Sequence, residues 1–449
     1  MSKTGSSMND STITSRERVL IALRHEEPDR VPIDFGSTHV STINPLSYRD
    51  LRKYLGLVEK PARVKDVVAQ LTEVDADILQ IFHIDLIDVN RHLPPTTGED
   101  YYRDLFYQCM TCLYRESETG KAEIYEHNWK QWTHRYLGFV EEIPACIDIV
   151  EEGDSLSIYL NKSVLLGKGS KTSSTFSPPD AHGVNPLANA KNVEDVKNFD
   201  WELFKVSDRY VEYLKKKSEY LYKNTKYALV FSLAGRMHAW AQGLRGWTRW
   251  LSDLRLRKSL AEAVLDHIMD VLMYNVKKYV EAFGEYVQVI GFADDLGTEE
   301  GPQISIQTFR DVYKHRYEEI FSYIKRHSKM YVFLHSDGAI FPLIKEFIDI
   351  GLDIINPIQL SAKGMDPEKL KKEYGEQITF WGGGADVQHV LPFAKVDEVV
   401  QHVKNLIKIF APRGGFIFAT THNIQPPTPP ENIVSVFKTA YENGRYLIR

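Results

Sequence analysis

Tyr331-Val332-Phe333-Leu334-His335-Ser336-Asp337-Gly338 is a short apolar run closed by three side chains able to do chemistry and by a glycine. The same unit recurs from about residue 226 to the C-terminus. Tyr227–Gly235 is the first run, Val287–Phe292 ends in Asp294-Asp295, and Asp353–Pro357 ends in Gln359. Ile378–Trp381 leads into Gly382-Gly383-Gly384-Ala385-Asp386, and Phe416–Ala419 into Thr420-Thr421-His422-Asn423. Stretches with helical spacing separate the runs. Near-continuous apolar strands alternating with helices favour a parallel sheet buried on both faces. When such a sheet closes, its strand ends converge on one mouth, where the chemistry sits. The expected fold is α/β, a (β/α)8 TIM barrel with a β-rich insertion. Val31–Phe35 and Ile78–Leu86 bring the candidate strands to eight.

At 449 residues and 43% apolar content, the chain has room for one barrel, typically roughly 250 residues, plus an elaboration. The net charge is −6 and no basic run is suited to tracking phosphates, so nucleic acid is not an expected partner. No apolar stretch approaches the roughly 20 residues that span a bilayer, so no membrane is expected. The polar start Met1–Thr12 lacks the apolar core of a signal peptide. Three cysteines (Cys109, Cys112, Cys146) suit a reducing cytoplasm better than a disulfide framework. Large exposed barrel helices often pair, which makes a homodimer an expectation.

Residues 1–13 read as a disordered tail, 14–92 as the first part of the barrel, 93–200 as the insertion and 201–449 as the rest. Thr14 and Glu17 have capping-box spacing and start a helix through Arg24. Another helix is expected around Tyr48–Tyr54. In the insertion, Lys121–Trp132, Thr133–Val140, Ala145–Glu151 and Ser155–Leu160 alternate with period two, and Glu152-Gly153-Asp154 has turn chemistry. Ser170–Pro186 reads as a loop. Later helices are expected at Asp253–Phe283, Ser305–Arg326, Ile340–Ile350, Val396–Phe410 and Pro430–Asn443, the last starting at Thr428-Pro429-Pro430-Glu431.

His335 and Asp337, two apart on an extended segment, project to one side, and His422 closes a later strand. Two imidazoles and a carboxylate suit zinc, which in catalytic sites takes three protein ligands and leaves a fourth position open. The same residues would equally serve as hydrogen-bonded loop anchors. Asp294 and Asp295 are adjacent and point apart, so one suits a base or further ligand and the other a loop cap. Arg236 and His238, following a strand, are candidates for a pocket, whereas Trp247 and Trp250 at helical spacing should pack inward. The Gly382–Gly384 triplet lacks the rest of a phosphate-binding motif and reads as tight packing at a strand end. Asp386 beyond it is a pocket candidate. Cys109-Met110-Thr111-Cys112 is half of a zinc motif without a second half.

The chain resembles the uroporphyrinogen decarboxylase superfamily. The resemblance rests on Ser15-Arg16-Glu17-Arg18-Val19-Leu20, Leu23-Arg24-His25-Glu26 and Pro28-Asp29-Arg30-Val31-Pro32, and resumes from about residue 226, including His335-Ser336-Asp337-Gly338 and Thr428-Pro429-Pro430-Glu431-Asn432. It implies a (β/α)8 barrel with its site at the C-terminal mouth. The decarboxylases grip their substrate with an arginine-bearing stretch; here Gly36-Ser37-Thr38-His39-Val40-Ser41 stands instead, with no arginine. The resemblance also points to Asp85 as the decarboxylase aspartate. The other branch comprises zinc methyltransferases that exchange methyl groups with a corrinoid protein. Their ligand motif, His-x-Cys with a distant Cys, falls on His335, Asp337 and His422. Both thiolates are replaced by harder ligands, which implies a methyl donor such as an aryl methyl ether. The corrinoid (cobalamin) would come on a separate partner protein, because the chain has no Asp-x-His-x-x-Gly motif.

The leading expectation is transfer of a methyl group from a small methylated substrate, as in O-demethylation, to that cobalt. Zn(2+) would sit on His335, Asp337 and His422, with Asp294 or Asp295 as ligand or base. Arg236, His238, Gln359, Asp386, Asp34 and His39 are candidates for holding substrate. A metal-free decarboxylase of a smaller polycarboxylic substrate, using Asp85 or Asp34, is the second expectation. A non-catalytic barrel that binds a ligand is the third.

Overall fold

A computed structural model describes residues 13–90, 129–135, 137–144, 147–160, 164–171 and 185–446. The Cys109–Cys112 pair, Cys146, the tail at 1–12 and most of the Ser170–Pro186 loop lie outside the described residues. The central feature is a seven-stranded parallel sheet. Its strands are β1 (Leu86–Asp88), β2 (Ala228–Gly235), β3 (Val289–Ala293), β4 (Tyr331–His335), β5 (Ile354–Asn356), β6 (Thr379–Trp381) and β7 (Phe416–Ile417), paired in chain order. Helices cover one face. On the other, alternate residues (Leu86, Val230, Val289, Phe333, Ile354, Trp381 and Ile417 among them) form a separate interior core. That double burial is why the strands read as continuous apolar runs.

The sheet curls until one short segment reaches both edges. Asp34 N–H donates to Phe418 O (2.8 Å) and Phe418 N–H to Pro32 O (2.9 Å), while Asp85 N–H donates to Ile33 O (2.9 Å). Ile33 and Phe418 form an isolated parallel bridge. Val31–Phe35, expected as a full strand, is thus a bridging segment; Pro32 brings no N–H to a ladder. The fold is α/β of the TIM type, built on this curled sheet.

Other expectations shift in instructive ways. Ile78–Leu86 was expected as one strand, but Ala76–Ile81 is a helix and the chain turns at His83 (φ 55°) before β1 starts. Ile78, Leu79 and Phe82 are buried at helical, not alternating, spacing. Asp253–Phe283 divides into Trp247–Leu256 and Lys258–Phe283, with Arg257 between them at φ −135°, ψ 55°. Buried Asp253 accepts from Arg245 Nε (2.7 Å) and forms an ion pair with Arg257 (Nε 2.8 Å from Oδ1), which draws the chain back at the break. Trp250 is fully buried, but Trp247 is 55% exposed and does not pack inward. The last helix, Pro430–Asn443, has Pro429 at its N-cap; the Thr428 hydroxyl donates to Gln425 O instead of capping.

The N-terminal helix Ser15–Leu23 has the expected capping box between Thr14 and Glu17. It lies across the end of the sheet where the strands begin. Val19 and Leu23 complete the interior core, and Arg16 N–H donates to Lys226 O just before β2 (2.7 Å). The opposite end carries the polar strand termini. Nearby, Ala62–Asp66 and Leu71–Thr72 join Phe139–Pro144 and Trp129–His134 in a four-stranded sheet, and Ile147–Glu152, Ser155–Leu160 and Val164–Ser170 form an antiparallel three-stranded one. No helix among the described residues is long and apolar enough to cross a membrane.

Candidate metal centre

The parallel register sets Ala293 opposite His335 and His335 opposite Asn356, so the loops after β3, β4 and β5 leave the sheet side by side. The first two are zipped together. Leu296 N–H donates to Ser336 Oγ (3.0 Å) and Gly297 N–H to Asp337 O (3.1 Å). Gly338 (φ +91°) lies so close that a Cβ there would stand 2.6 Å from Gly297 C, an approach only glycine permits. The His422 loop is tied elsewhere: Asn423 Oδ1 accepts from Thr42 N–H (2.8 Å), and its Nδ2 donates to His39 O (3.1 Å).

These loops bring His335, Asp337 and His422 together, with one donor atom from each lying within 4.8 Å of the others. Asp337 Oδ2 is 3.5 Å from His335 Nε2 and 3.7 Å from His422 Nε2. Donors on one zinc, with bonds of about 2.0–2.1 Å, stand roughly 3.3–3.4 Å apart. The ring centroids of the two histidines are 5.6 Å apart. Among the described residues this is the one group of three histidine, cysteine or acidic side chains with such spacing.

Asn356, the last residue of β5, sets the imidazole tautomer. Its Nδ2 donates to Trp381 O (2.8 Å), which leaves Oδ1 to accept from His335 Nδ1 (2.7 Å). Nε2 of His335 then faces the cluster, where it can ligate a metal once its proton is displaced. Sequence reasoning passed over Asn356 in favour of Gln359, although a polar residue closing a strand was the available signal. Trp381 Nε1 in turn donates to Asp34 Oδ2 (2.9 Å), so Asp34 supports the mouth from one step further out. Replacing Asn356 with alanine is expected to weaken zinc binding about 10–100-fold, measured by competition with a chromogenic chelator.

The charges suit a cation. Burial alone would lower the His335 pKa, but Asp337 and Asp295 outweigh it and hold the group at about 9. Burial opposes ionisation of Asp337, yet His335 and His422 draw it down to about 2. His422 is lowered, by burial first, against the pull of Asp337. The carboxylates that keep a proton on His335 Nε2 are the ones that would hold a metal ion in its place.

The two adjacent aspartates part ways. Asp295, with a side chain 55% exposed, lies 3.6 Å from His335 Nε2 and accepts from Asp337 N–H (3.2 Å). Asp294 is buried, and its carboxylate accepts from Met237 N–H (2.7 Å), Ala239 N–H (2.8 Å) and Tyr317 OH (2.7 Å). Burial raises it to about 6 despite those bonds. It anchors the start of the helix His238–Arg245.

The other candidates are scattered in role. His238 is fully buried between Tyr313 OH (2.7 Å), Gln242 Nε2 (3.0 Å) and Trp250 Nε1 (3.3 Å), and burial lowers it to about 4. Gln359 accepts from Gly338 N–H (2.7 Å) and donates to Glu299 (2.7 Å), bracing the mouth loops. Asp386 caps its own turn through the Gln388 and His389 amides. His39 lies 3.3 Å from Asp66. Asp85 immediately precedes β1, whereas His335 ends β4, so the two belong to opposite ends of the sheet. Its carboxylate accepts from Arg18 (2.7 Å), twice from Arg30 (2.7 and 2.9 Å) and from Ile33 N–H (2.9 Å).

The family model described as uroporphyrinogen decarboxylase (URO-D) matches residues 228–443, from the first residue of β2 to the end of the last helix. This stretch, just under half of the chain, is similar to the uroporphyrinogen decarboxylase family. The match takes in Arg236, His335, Asp337 and His422. A methyltransferase from Methanosarcina mazei has a similar fold, with a TM-score of 0.51 and 16% identity over 96% of this chain and 99% of that one. No curated protein matches the chain.

Proposed function

We propose that this protein is a methyltransferase that moves a methyl group from a small methylated substrate to the cobalt of a corrinoid held by a separate protein. An aryl methyl ether is the favoured substrate class, and zinc would be held by His335, Asp337 and His422. One observation carries the reading: donor atoms from β4 and from the distant β7 loop meet within 4.8 Å, with Asn356 turning His335 Nε2 towards them. Zinc bound there would act as a Lewis acid on the oxygen losing its methyl group, and the corrinoid would accept the methyl.

The chain's own residues do the rest. Asp337 and Asp295 supply the two negative charges that balance a divalent cation. Imidazole and carboxylate donors, harder than thiolates, favour an oxygen-centred substrate over a thiol. Asp295 is the most exposed member of the group. The metal-free decarboxylase reading has less support, because Asp85 is closed in by two arginines at the other end of the sheet.

The test combines metal analysis with a spectroscopic assay for methylcobalamin, using free cob(I)alamin and a panel of aryl methyl ethers. Near-stoichiometric zinc and methylcobalamin formation that a chelator abolishes are expected. Turnover by metal-free protein would overturn the proposal.

A further inference from the structure

Arg236 follows Gly235 directly, where β2 ends at the mouth. Among the described residues it makes no hydrogen bond or ion pair, and its Nε is sealed from solvent with no acceptor. A guanidinium carries five donors in a rigid plane, and leaving such donors unmet in a partly buried setting is unfavourable. Its obvious counter-ion is already engaged. Asp294 lies within electrostatic range, but three other donors use its oxygens.

The surroundings tie Arg236 to the metal-binding group. Met237, the residue after Arg236, donates its N–H to Asp294 Oδ2 (2.7 Å), and the adjacent Asp295 lies 3.6 Å from His335 Nε2. On the other side, His39 O accepts from Nδ2 of Asn423 (3.1 Å), the residue after His422. Lys65, which acts on His39, is directed elsewhere: its Nζ donates to Gly36 O (3.4 Å) and Thr38 O (3.2 Å) and sits 3.8 Å from Asp88. Among the described residues at this mouth, Arg236 is left without a carboxylate partner.

We infer that the small substrate carries a carboxylate at its non-reacting end, and that Arg236 binds this group while the methyl-bearing end faces His335, Asp337 and His422. A planar fork pairs with a planar carboxylate through two parallel hydrogen bonds. The inference rests on the methyl-transfer reading only for the identity of the reacting end.

Calorimetric binding of 4-methoxybenzoate and of its neutral counterpart 4-methoxybenzyl alcohol to the zinc-loaded protein tests it. The carboxylate should bind wild type about 10–100-fold tighter, the range for a charge-assisted pair. Arg236→Met should remove that preference while zinc content stays unchanged, and Arg236→Lys should restore part of it. Equal binding of the two compounds, binding of neither, or a preference that survives Arg236→Met would overturn the inference. Turnover with cob(I)alamin is scored separately, so a failed methyl-transfer reading and a failed anion site give different results.

Discussion

His335→Ala is expected to abolish zinc retention and methyl transfer together. The substitution removes one of three donors and breaks the chain that runs from Asn356 through His335 to the cluster. Loss of an outer partner alone costs roughly 10–100-fold in metal affinity, so loss of the ligand itself should cost more than that. It also removes the positive charge that draws Asp337 down to about 2. Asp337 and Asp295 would then share only His422 as a basic neighbour, 3.7 Å from Asp337 Oδ2. Metal analysis after gel filtration, alongside the cob(I)alamin assay, checks the outcome. Full zinc occupancy in His335→Ala would place the metal elsewhere.

Asp85→Ala should instead destabilise the fold by about 3–5 kcal/mol, the usual effect of removing one partner from a buried ion pair. Arg18 and Arg30 are each less than 10% exposed and would lose their shared carboxylate. The Ile33 amide, on the segment that bridges the sheet edges, would lose its acceptor as well. An earlier urea midpoint is the expected signature, with methyl transfer per folded molecule unchanged. Asp85→Asn, which keeps part of the hydrogen bonding, should fall between. A stable Asp85→Asn protein with no turnover would revive the decarboxylase reading.

The contrast between these residues shows what could be read from the chain. His335, Asp337 and His422 were legible because each follows an apolar run long enough to identify as a buried strand, and parallel strands deliver their C-terminal ends to one place. The bounds of Val396–Phe410 and Pro430–Asn443 were legible for a similar reason, since amphipathic periodicity ended at clear stops. Asp85 was expected near the close of a strand and instead precedes β1, which has only three residues, too few for its pattern to tell which end an aspartate occupies. Ala62–Asp66 was missed because Arg63, Lys65 and Asp66 leave little apolar alternation to detect. Asn356 was hidden because its contribution is to orient a neighbour, and that depends on register across strands.

The helix Ser15–Leu23 has a consequence for traffic through the molecule. With Val19 and Leu23 driven into the interior core, the far end is plugged, and among the described residues the polar strand termini at the other end form the doorway. If the chain transfers methyl groups as proposed, a small molecule and a macromolecular corrinoid carrier would share that doorway. Binding would then follow a compulsory order, with the small molecule inside before the carrier arrives and its demethylated remnant held until the carrier departs.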